Sequence, residues 1–151
     1  MFDLCFIGEN VVEEDAVVEY RMTKAVKKFI EKGADTFYVC GDASFTPIAL
    51  KVCLQERREN KDLRYFSFPV IDKAEWKVRQ YRETIDSCQV IICYYDPAKN
   101  SSADNLFFNY AREQKKRIVN LFQGESHYLH GQPLEELEQM IHKWIELLKN
   151  G

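Results

Sequence analysis

Short apolar runs alternate along the whole chain with stretches whose apolar residues recur at near-helical spacing. Phe2–Gly8 is apolar, strand-length and closed by glycine, the form of a strand buried on both faces. Ala16, Val17, Tyr20, Met22, Val26, Phe29 and Ile30 then predict a first helix that stops at Gly33. Thr36–Cys40, β-branched and aromatic, predicts a second strand running into Gly41. Thr46-Pro47 reads as the next helix start, with Thr as cap and Pro in the first turn, followed by Ile48, Leu50, Val52, Cys53 and Leu54. Leu63–Ile71 predicts a third strand, and Asp72 caps a third helix carrying Trp76, Val78, Tyr81 and Ile85. Val90–Tyr95 is a fourth strand. Leu106, Phe107, Tyr110 and Ala111 mark a fourth helix, and Arg117–Phe122 is a fifth strand. Beyond the polar connector Gln123–Gln132, the residues Leu134, Leu137, Ile141, Trp144, Ile145 and Leu148 share one face of a last helix over Pro133–Lys149.

This alternation predicts an α/β chain with a Rossmann-like three-layer fold: a mainly parallel five-stranded sheet, helices on both faces, and a C-terminal amphipathic helix. No repeat or linker divides it, so residues 1–151 are expected to form one domain, with a core over 1–122 and the C-terminal helix over 132–150. A chain of 151 residues can bury a core without disulfides or metal.

Charge narrows the partners. A formal net charge of −3 gives no dense positive face, so neither nucleic acid nor an anionic membrane is an expected partner. No segment approaches the roughly 18 apolar residues of a membrane span, and the N-terminus has no basic region of a signal peptide. Five cysteines, an odd number, are spread out with no Cys-x-x-Cys pair and no histidine at ligand spacing. That pattern predicts a reduced, cytoplasmic protein without a metal site and implies no cofactor.

In an open parallel sheet, ligands bind beyond the carboxyl ends of the strands, where loops meet helix N-termini. Three segments meet that description: Gly8-Glu9-Asn10, Gly41–Thr46 and Asp96–Asp104. The candidate ligand-binding residues are Gly8, Glu9, Asn10, Gly41, Asp42, Ser44, Thr46, Asp96, Ser101, Ser102 and Asp104. Gly41 and its small neighbours suit a phosphate cradle, although a plain tight turn accounts for the same glycine. Acidic residues oppose that use: like charges about 5 Å apart at an effective dielectric of about 20 repel by about 3 kcal/mol. Lys99 is the basic side chain at hand to offset them. Glu9, Asp42, Asp96 and Asp104 are candidates for acid–base work or for holding a divalent ion, although as common loop residues they read first as ordinary helix caps. His127, His130 and His142 lie in the last quarter and build no Ser-His-Asp or Cys-His arrangement. Tyr95 and Phe45 are rings on which a base could stack, within a set of aromatics that mostly reads as core. The run Arg112–Arg117 reads as a solvated helix end.

Several segments together resemble a known group. They are Phe6-Ile7-Gly8, Val39-Cys40-Gly41, Ile85-Asp86, the strand ending Tyr94-Tyr95-Asp96, and Tyr110-Ala111 leading to Lys116–Phe122. Over about residues 3–122 the chain resembles the SLOG superfamily, which includes Lonely-Guy-type phosphoribohydrolases and the DNA-processing protein A family. It looks most like the bacterial branch of small proteins that open with Phe-Ile-Gly-His-Arg. The resemblance implies a Rossmann-like, commonly dimeric protein that binds or cleaves a nucleotide-derived small molecule. The departures fall in the ligand loops. Glu9-Asn10 stands for His-Arg, Cys40–Thr46 for a glycine-rich run, and Ala103-Asp104 with Asn109 for the Gly-Thr and later Glu of relatives.

Without those glycines and the phosphate-pairing arginine, the expected member has lost catalysis or changed ligand. It would act as a binding protein or sensor for a nucleotide-derived small molecule. The alternatives are an N-glycoside hydrolase or deoxyribosyltransferase-like enzyme with Glu9 or Asp104 as its acidic group, and a structural or partner-binding role that includes a homodimer.

Overall fold

The computed structural model describes residues 2–41, 43–68, 75–96, 98–99 and 105–122. The elements run β1 (Phe2–Gly8), α1 (Asp15–Glu31), β2 (Ala34–Gly41), α2 (Phe45–Glu59), β3 (Arg64–Phe68), α3 (Glu75–Ser87), β4 (Val90–Cys93), α4 (Leu106–Glu113) and β5 (Arg117–Asn120). The strands pair in the order β3-β2-β1-β4-β5, every pairing parallel. This is a Rossmann-like α/β fold.

Alternation along β1 explains the layers. Leu4 and Phe6 point into one core with Val18, Met22, Val26 and Phe29 of α1 and Phe45, Ala49 and Val52 of α2. Cys5 and Ile7 point to the opposite face, where Tyr81 and Ile85 of α3 and Phe107, Phe108 and Ala111 of α4 cover them. A central parallel strand has no solvent face, and so β1 carries no polar alternation through its middle. The chain steps outward from β1 to β2 and β3 with α1 and α2 on one face. It then crosses through α3 to β4 on the other side of β1, which puts α3 and α4 on the opposite face.

Local differences from the sequence reading have local causes. Tyr20 is exposed, with the ammonium of Lys24 over its ring, while Arg21 is buried and donates to the Leu121 carbonyl at 3.1 Å. In α2, Leu54 is exposed, because the buried stripe runs through Phe45, Ile48, Ala49, Val52, Cys53 and Glu56. Glu56 meets Lys27 of α1 at 3.0 Å. Thr46 does not cap α2: the helix begins at Phe45 with Ser44 before it, and Thr46 Oγ1 is buried without a hydrogen-bond partner. β4 ends at Cys93 and β5 at Asn120, both short of the predicted limits. No helix among the described residues is long and apolar enough to cross a membrane. The predicted C-terminal helix, the polar connector, the three histidines and Asp72 lie outside the described residues.

All five cysteines are free and buried. Cys5 Sγ lies 3.9 Å from Cys40 Sγ, but Cys5 is registered opposite Tyr38 and Cys40 opposite Ile7. A two-residue offset across neighbouring strands separates the Cα atoms by about 8 Å, beyond disulfide reach. Hydrogen bonding with Cys40 raises the Cys5 thiol well above its usual range, and burial pushes Cys53 up to about 12. The folded state therefore holds these protons more tightly than the unfolded chain. Stability is full below the ordinary thiol pKa and falls as pH rises from about 9 towards about 12. Urea titrations at pH 8 and pH 10.5 are expected to show that loss, and native thiols are expected to react with Ellman's reagent far more slowly than in denaturant.

Candidate functional site

Parallel pairing places the carboxyl ends of β1, β2 and β4 at one edge of the sheet. Gly8 is registered with Gly41, and Ile7 with Cys93. Strand order reverses between β1 and β4, the switch point at which the flanking loops part and leave a crevice.

The loop after β1 is the hub. On the β2 side, Ala43 N donates to the Gly8 carbonyl at 3.1 Å, and Val12 N donates to Ser44 Oγ at 2.7 Å. The close approach that Gly41 permits, at φ +105, is to Gly8 itself. Thr46 Oγ1 packs over Gly8 so tightly that a Cβ there would lie 2.0 Å from it.

On the β4 side, Asn10 is buried and spans the crevice. Its Nδ2 donates to the Tyr94 carbonyl at 2.7 Å and to Asn105 Oδ1 at 2.6 Å. Glu9 reaches the start of α4, where its Oε1 accepts from Phe107 N at 2.8 Å and its Oε2 from Phe108 N at 3.1 Å. Helix N-termini attract anions because their first amides are unpaired and the dipole is positive there. In this chain a side-chain carboxylate fills that position. Its charge also adds to burial in raising the Cys93 thiol.

Asn120 at the end of β5 holds the next stretch of backbone. Its Oδ1 accepts from Tyr95 N at 2.9 Å, and its Nδ2 donates to the Tyr95 carbonyl at 2.8 Å. The Tyr95 ring stacks on Phe108 at 4.2 Å between centroids. Phe45 is wholly buried.

A cavity of about 180 Å³ opens within the crevice, lined by Val11, Glu13, Tyr94, Asp96 and Lys99. Asp96 is buried, and its Oδ1 accepts from Ala98 N at 2.9 Å, an Asx turn that shapes the loop. Lys99 Nζ bonds Glu13 Oε1 and so joins the β1 loop to the β4 loop across the mouth. That contact raises the Lys99 pKa, but both side chains are 59% exposed, so solvent and salt screen the pair.

Of the sequence candidates among the described residues, Asp96 lines this cavity, Glu9 and Asn10 tie the β1 loop to the start of α4, and Gly8, Gly41, Ser44 and Thr46 pack the β1 loop against the end of β2. Asp42, Ser101, Ser102 and Asp104 lie outside the described residues. Sequence reasoning missed Val11 and Glu13 because it ended the first loop at Asn10, whereas α1 begins at Asp15. Among the described residues no three His, Cys, Asp or Glu side chains gather to hold a metal ion.

No family model matches the chain, and no curated protein matches it. Among solved structures, it is similar to shikimate 5-dehydrogenase from Listeria monocytogenes in complex with shikimate and NAD, at 13% identity and a TM-score of 0.44. The match covers 99% of this chain and 55% of that one, so the chain spans about half of its length. The Rossmann-like fold rests on the strand order itself.

Proposed function

We propose that the chain is a non-catalytic, SLOG-like binding module, a cytoplasmic sensor that takes a nucleotide-derived small molecule in the crevice between β1 and β4. The observation that carries this reading is the engagement of Glu9: each of its carboxylate oxygens accepts a backbone amide of α4. A glycoside-cleaving enzyme needs a carboxylate presented to the anomeric carbon, and a carboxylate used as a helix cap is poorly placed to supply it. A binding module needs only a shaped crevice on rigid supports. Asn10 and Asn120, bonded across the loops, supply that rigidity.

Thermal-shift titration with nucleosides, nucleotides and ADP-ribose-type compounds tests the reading. A ligand at 100-fold its Kd should stabilise the fold by about 2.7 kcal/mol, a rise of about 5–10 °C in Tm for a chain of this size. No stabilisation by any of these compounds would sink the proposal. Release of free base from a nucleoside, lost in Glu9→Gln, would favour the N-glycoside hydrolase instead.

A further inference from the structure

We infer that the crevice accepts the dephosphorylated members of this ligand class, nucleosides or free bases, and discriminates against their phosphorylated forms. The inference deepens the proposed function and rests on it.

Three features converge. The amides at the start of α4, the natural seat for a phosphate beside this switch point, are already bonded to Glu9 at 2.8 and 3.1 Å. Among the described residues, the cavity wall carries two carboxylates, Glu13 and Asp96, against one ammonium, Lys99. That ammonium is paired with Glu13, so an incoming phosphate would have to separate the pair while facing both carboxylates. Phosphate brings acceptors and negative charge to a wall whose described carboxylates outnumber its ammonium.

The amino and ring N–H groups of a base, or the hydroxyls of a ribose, bring donors. Val11 and Tyr94 supply an apolar flank for the ring. The volume of about 180 Å³ suits a base, with the ribose of a nucleoside left towards the open mouth, and is smaller than the 300–1,000 Å³ typical of drug-sized ligand sites.

The test is isothermal titration of the full chain with adenosine, guanosine and cytidine, each beside its 5′-monophosphate. It is run at about pH 7.5, where the phosphate is mostly a dianion. Any nucleoside that binds is expected to do so at least tenfold more tightly than its monophosphate. In Glu13→Gln, which removes one carboxylate and frees Lys99, the ratio of the two Kd values is expected to shrink at least threefold. Circular dichroism checks that this exposed substitution leaves the fold intact. A parent ratio below tenfold overturns the inference and leaves the binding reading standing. So does a larger ratio that Glu13→Gln does not change, because the discrimination would then arise elsewhere. Binding by none of the six compounds overturns the inference, and the proposed function falls with it only when the ADP-ribose-type compounds also fail to stabilise the fold.

Discussion

Gly41→Ala is expected to destabilise the fold by about 3 kcal/mol, read as a drop of roughly 1.5 M in the urea midpoint with an unchanged slope. Two costs act together. The residue sits at φ +105, a conformation that L side chains rarely adopt, and a Cβ there would lie 2.3 Å from the Gly8 carbonyl oxygen and 2.7 Å from its carbon. The obstacle is backbone in the central strand, so no rotamer change relieves it.

Gly8→Ala makes the informative comparison. Its Cβ would meet Thr46 Oγ1 at 2.0 Å, a side-chain atom without a hydrogen-bond partner. Adding Thr46→Ala should therefore recover much of the loss in Gly8→Ala and none of the loss in Gly41→Ala. A Gly41→Ala chain with the parent's midpoint would show that the β1 and β2 ends can separate at little cost, and would undo the view of the first two loops as one rigid unit.

The fold was legible for a simple reason. A strand buried on both faces must be apolar throughout, a helix lying on one face must be apolar every third or fourth residue, and both periods are plain in Phe2–Gly8 and in Met22, Val26 and Phe29. Convergence of the loops needed β1, β2 and β4 to be neighbours as well as parallel, and the strand order makes them so. What each loop residue does was much less visible. Glu9 and Asn10 find their partners at Phe107, Phe108 and Asn105, and those contacts exist only because β4 is registered beside β1. No local pattern encodes that juxtaposition.

Ser44 shows the same limit at short range. Its hydroxyl serves Val12 of the neighbouring loop and not the helix it precedes, and Thr46, which looks like a cap by composition, is turned into the packing over Gly8. Polar residues near helix starts have several backbone amides within reach, and tertiary structure chooses among them.

Asn10→Asp should be the more damaging of the crevice substitutions, although it changes almost no volume. The amide nitrogen of Asn10 faces two acceptors, the Tyr94 carbonyl at 2.7 Å and Asn105 Oδ1 at 2.6 Å, in a residue that is only 7% exposed. A carboxylate in its place turns both hydrogen bonds into oxygen–oxygen contacts. Asn105 can rotate its amide to offer a donor, but the Tyr94 carbonyl cannot. At neutral pH the expected loss is about 3 kcal/mol, from a buried charge left facing an acceptor. The pH dependence identifies the cause. Burial and the facing carbonyl raise the pKa of the new carboxyl in the folded state above its unfolded value, so the folded variant binds the proton more tightly. Its deficit relative to the parent should therefore shrink as pH falls towards about 4, where a protonated acid can again donate to Tyr94, and should be fully developed above the raised pKa. Parallel urea titrations of parent and variant at pH 4.5 and pH 7.5 measure that difference. A deficit that is the same at both values would mean that Asn10 holds the loops by shape and not by its two donated hydrogen bonds.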